Sequence, residues 1–77
     1  MNMLSEEHYK EYFYKLTYGS VYEGATLHEM HLILKVYEEI EDYLACEGIN
    51  KALGEISVMK LSEFIEKIKY INGRLSN

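Results

Sequence analysis

Residues 26–48, TLHEMHLILKVYEEIEDYLACEG, carry the reading of the fold. Thr26-Leu27-His28-Glu29 matches a capping box, in which a threonine and a glutamate three residues later satisfy free backbone N–H groups at a helix start. Apolar residues then recur at helical spacing, which predicts one long helix over 26–47, stopped by Gly48. At about 100° per residue, Leu27, Met30, Ile33, Leu34, Tyr37, Ile40 and Leu44 share a face. Leu32, Val36 and Tyr43 widen it beyond a single stripe, and the polar remainder is a narrow strip of His28, His31, Lys35, Glu38, Glu39 and Asp42. A helix this apolar has to be covered from two sides. It is therefore expected at the centre, packed by the other helices or by a second copy of the chain.

Working outward, the spacing predicts a first helix over 5–18, with Ser5 as cap and Glu6 and Glu7 in a first turn whose dipole favours acids. Tyr9, Tyr12, Phe13 and Leu16 give it one apolar stripe, and Gly19 is its expected stop. Residues 19–25 read as a glycine-bounded loop. Beyond Gly48, a short helical turn over 50–55 is expected, capped by Asn50 and limited by Gly54. A last helix is predicted over 57–72, from Val58, Leu61, Phe64, Ile65, Ile68 and Ile71, with Asn72-Gly73 as the stop. Alternation through Ile56-Ser57-Val58-Met59 makes a short strand at 55–60 the competing assignment. The absence of proline suits helices joined by short turns. The expected fold is all-α, a single domain over 1–77 built as a bundle of three main helices.

Composition bounds the class. The 77 residues are 48% hydrophobic and 27% charged, a folding composition and not a disordered one. No apolar run approaches the roughly 20 residues of a membrane span, and the first seven residues lack the cationic-then-apolar pattern of a secretory signal. Cys46 is the only cysteine, so an internal disulfide is excluded and a reducing cytoplasm is the expected compartment. A domain this small buries only about 60% of the surface its unfolded chain exposes. With no staple available, self-association is the expected support, and a homodimer its simplest form.

The residues suited to chemistry form no constellation. His28 and His31 lie three apart, which is neither the His-Glu-x-x-His of zinc proteases nor the Glu-x-x-His of di-iron bundles, and they read as solvated. Cys46 lies near the end of the expected long helix beside Asp42 and Glu47, where a thiolate is disfavoured. No Gly-x-Ser-x-Gly elbow or phosphate-binding glycine loop occurs. The expectation is therefore no enzyme, no cofactor and no metal.

Charge and tyrosine content point to protein binding. The net charge is −5, and Glu38, Glu39, Glu41, Asp42 and Glu47 fall within residues 36–50 without a single base. Four of these acids would lie in the C-terminal half of the long helix, where the dipole disfavours each by a few tenths of a kcal/mol. Either they pair with a basic stripe of Lys60, Lys67 and Arg74 on the last helix, or they await a basic partner. On the first helix, Glu7, Glu11, Tyr14 and Tyr18 share the face opposite the core stripe, and Tyr22 follows in the loop. Exposed aromatics on a small domain mark interfaces. The expected partner-binding set is therefore Glu38, Glu39, Glu41, Asp42, Glu7, Glu11, Tyr14, Tyr18 and Tyr22.

The expected function is a stoichiometric inhibitor or adaptor that docks on a basic protein surface. Its carboxylates would mimic phosphate to a nucleic-acid-handling enzyme, in the manner of small phage and mobile-element proteins, without touching nucleic acid or membrane. The alternative is a helical transcriptional regulator reading DNA through its basic C-terminal helix. Thirteen acids against eight bases count against it.

Overall fold

Four helices follow one another: α1 (Met3–Tyr22), α2 (Leu27–Glu39), α3 (Tyr43–Ile56) and α4 (Leu61–Leu75). The computed structural model describes residues 3–75, with side chains from residue 6 to residue 72. The chain is an all-α bundle in which α1 packs along α3, α2 lies on α3, and α4 is the most lightly held. Its dimensions, 36 × 31 × 18 Å, make it a thin slab.

The long helix over 26–47 is two helices. The capping box at its start forms as read: Thr26 Oγ1 accepts the Glu29 N–H at 3.0 Å, and Glu29 Oε1 accepts the Thr26 N–H at 2.9 Å. The helix then ends at Glu39. The Asp42 N–H bonds to the Tyr37 carbonyl and the Glu41 N–H to the Glu38 carbonyl, the paired bonds of a Schellman ending. That ending puts Glu41 in the left-handed region, with φ +62°. Asp42 then starts α3, its Oδ1 accepting the Ala45 N–H at 3.2 Å.

Other boundaries move for similar reasons. Gly19 does not stop α1, which runs on to Tyr22 and closes with the same two-bond ending around Gly24, φ +119°. Ser5 lies inside α1 and is not its cap. The turn expected at 50–55 is the second half of α3, with Asn50 and Gly54 inside the helix. Residues 57–60 form a turn instead of the start of the last helix, and the alternating 55–60 segment contains no strand. Glu63 accepts the Lys60 N–H at 2.8 Å where α4 begins. That helix runs past the expected stop at 72–73 to Leu75.

The centre of the bundle is α3, which buries Ala45, Cys46, Gly48, Ile49, Ala52 and Leu53. Gly48, the expected stop, is the point where α1 crosses it. A Cβ there would press into the Lys10 carbonyl oxygen and stand 3.0 Å from both Phe13 Cβ and Tyr14 N. Only a residue without a side chain lets the two backbones approach this closely.

The core has two parts. Phe13, Met30, Leu34, Ala45, Cys46, Ile49 and Leu53 form one, where α1 and α2 meet α3. Tyr14, Tyr18, Ala52, Ile68 and Ile71 form the other, where α4 closes over α1 and α3. The stripe expected to be the core face of α1 is therefore only partly inside. Phe13 is buried, whereas Tyr9, Tyr12 and Leu16 are exposed.

Candidate protein interface

Tyr14 and Tyr18, expected on an outer face, are core residues. Tyr18 is 0% exposed, and its hydroxyl donates to Glu55 Oε1 at 2.7 Å, while Tyr14 donates to the same oxygen at 2.6 Å. Lys51 Nζ stands 5.0 Å from the Tyr14 ring centroid, and Lys67 Nζ stands 5.4 Å from Tyr14 and 5.8 Å from Tyr18. Burial and the Glu55 carboxylate both push the two phenol pKa values up. Burial would also raise Glu55, but the two phenol hydrogen bonds and the nearby Lys67 and Lys51 outweigh it and hold that carboxyl below its ordinary value. The cluster is a satisfied internal network that ties α1, α3 and α4 together. No residue pattern singled out Glu55 for this place, because a lone glutamate beside a glycine reads as solvated.

The two α1 acids of the expected set, Glu7 and Glu11, are neutralised locally. Glu7 pairs with Lys10 at 3.2 Å, and Lys10 also pairs with Glu47 at 3.2 Å. Glu11 pairs with Lys15 at 3.6 Å. Tyr22 is exposed but lies away from these acids, on a groove of about 480 Å³ shared with Ile56, Met59, Leu61 and Ile65.

The corner between α2 and α3 holds the other acids. Asp42 is occupied within the fold, since besides capping α3 it accepts the Tyr9 hydroxyl. Glu38, Glu39 and Glu41 are exposed, and among the described residues they make no ion pair. Among the described residues, the basic stripe is not their partner. Lys67 lies over the tyrosines, and Lys60 contributes its backbone N–H to Glu63; the Arg74 side chain falls outside the described residues. Interleaved with the three acids are Ile40, 65% exposed, and Tyr43, 63% exposed, with Val36 one turn earlier. This apolar and acidic corner is built on the strained Glu41 backbone, a conformation that disfavours a side-chain-bearing residue by about 1–2 kcal/mol.

Metal-ligating side chains stay apart among the described residues. No three His, Cys, Asp or Glu side chains gather there as a metal site would require. His31 Nδ1 donates to the Leu27 carbonyl of its own helix at 2.8 Å. Burial, with Glu38 and Asp42 nearby, pushes the Cys46 thiol up, away from a reactive thiolate. No described helix is long and apolar enough to cross a membrane. Compared with family models, curated proteins and solved structures, the chain has no match.

Proposed function

We propose that the chain is a protein-binding module whose docking surface is the α2–α3 corner: Glu38, Glu39 and Glu41 with Val36, Ile40 and Tyr43. The observation that carries this reading is the lack of any ion pair for the three acids within the described residues, beside apolar side chains that stand in solvent. Apolar residues at the middle of a patch supply contact area, and rim charges select the partner and speed its approach. The partner is a protein with lysine and arginine around an apolar depression. A basic groove built for nucleic-acid phosphates is one such surface, and covering it makes the module a stoichiometric inhibitor or an adaptor without chemistry of its own.

The test compares the wild type with a Glu38→Gln, Glu39→Gln, Glu41→Gln variant in affinity purification from the native host. Because the acids are unpaired, the variant's stability is expected to hold or rise by a few tenths of a kcal/mol as their mutual repulsion is relieved. A specific partner is expected to be lost from the variant, with a slower on-rate and a flatter salt dependence in a purified assay. A clear drop in melting temperature with unchanged capture would assign the acids to the fold and defeat the reading.

A further inference from the structure

The outer face of α1 is a second surface, and it does not depend on the role of the α2–α3 corner. His8, Tyr12, Leu16 and Gly19 fall at i, i+4, i+8 and i+11 on α1, within about 40° of one line, and Glu23 at i+15 follows in the turn, its N–H still bonded to the Gly19 carbonyl. Tyr12 is 59% exposed and Leu16 44%, and they border a groove of about 490 Å³ that runs past Gly19.

Gly19 is the informative residue. It lies inside a helix, where glycine is a poor choice, and a Cβ added there would meet nothing within 4 Å. Gly48 lacks a side chain because another helix passes over it. At Gly19, as at Gly54 within α3, no described part of the chain stands where a side chain would lie. The groove it leaves faces out of the molecule.

We propose that this face receives a second copy of the chain, α1 against α1, antiparallel about a two-fold axis between Lys15 and Leu16. A two-fold contact must be self-complementary, with residue i facing j and j facing i. This stripe meets that condition by its order. The axis sets Tyr12 over Gly19 of the other copy at both ends, a ring into the space of a missing side chain. It sets His8 opposite Glu23, an imidazole N–H donor against a carboxylate, again twice. Leu16 meets its own equivalent near the axis.

Charge selects this occupant. Lys15 is tied to Glu11 at 3.6 Å, which leaves the face nearly balanced, whereas the α2–α3 corner would confront a second copy with like charge.

The experiment is light scattering and sedimentation of the full chain across a concentration series. A species of twice 9.1 kDa is expected at high micromolar concentration. Gly19→Gln is expected to raise the melting temperature of the dilute monomer, through better helix propensity, yet weaken the dimer at least about tenfold. His8→Glu is expected to weaken it through repulsion from Glu23, and His8→Glu with Glu23→Lys to restore it. A monomer at every concentration overturns the proposal. So does a dimer that withstands Gly19→Gln and His8→Glu, or one broken only by Val36→Glu and Ile40→Glu. These outcomes are separate from the fate of the corner, which is read by loss of a different protein.

Discussion

The two faces of α1 carry similar residues and have opposite fates. One presents Tyr14 and Tyr18, the other Tyr12 and Leu16, and by hydrophobicity the second is the better core stripe. The bundle buries the first. Two features outside α1 decide this. Gly48 on α3 admits the α1 backbone on one side only, and Glu55 on α3 waits there as an acceptor for two phenols. Tyrosine is amphipathic, and Tyr14 and Tyr18 can go inside because their hydroxyls find the Glu55 carboxylate there. What looked like an acidic, aromatic docking face is the most firmly tied side of the helix.

The largest effect is expected from truncating the inner face. Tyr18→Ala removes a fully buried ring and is expected to destabilise by about 3–5 kcal/mol, read from urea or thermal unfolding. Gly48→Ala comes next, because its Cβ meets backbone that cannot rotate away. Forcing α1 from α3 is expected to destabilise by about 1–3 kcal/mol. If Gly48→Ala were neutral, the close crossing would not be what selects the buried face.

Glu55→Leu keeps the bulk and removes the acceptor, leaving two hydroxyls without it, at an expected loss of about 1–3 kcal/mol. The same residue sets a pH dependence. Its folded-state pKa is depressed below 4.5, so its contribution is complete above that value and is lost as pH falls through the folded value. Acid unfolding of Glu55→Gln is expected to lack that component. At the alkaline end the sign reverses: Tyr14 and Tyr18 are raised above 10.0, so their contribution is lost only as pH rises beyond that.

Glu41→Gly is expected to stabilise by up to about 1 kcal/mol, since glycine occupies the left-handed region without strain, though it also frees the unfolded chain. The smallest effect is expected on the outer face. Tyr12→Ala should stay within about 0.5 kcal/mol in the dilute monomer, against the several of Tyr18→Ala on the same helix. A large loss there would erase the distinction between the faces.

The sequence by itself determined what local chemistry can decide. The all-α class, the capping box at Thr26 and the helical character of the last segment are written in residues within four positions of one another. Two helix endings with the same hydrogen bonds mark the limit. The one at Gly24 has a glycine in the loop to suggest it, although Gly19 competes for the role. The one at Glu41 has none, so two helices read as one. That break moved the acids from a continuous helix to a corner and turned Asp42 from a surface charge into a cap. Whether Glu38, Glu39 and Glu41 stay in solvent was open in the sequence, because the same run of acids supplies Asp42 to the α3 cap and Glu47 to Lys10. Which tyrosines are inside was decided only by the tertiary structure. It depends on Gly48 and Glu55, 30 or more residues from the side chains they position, and helical periodicity says nothing about contacts at that separation.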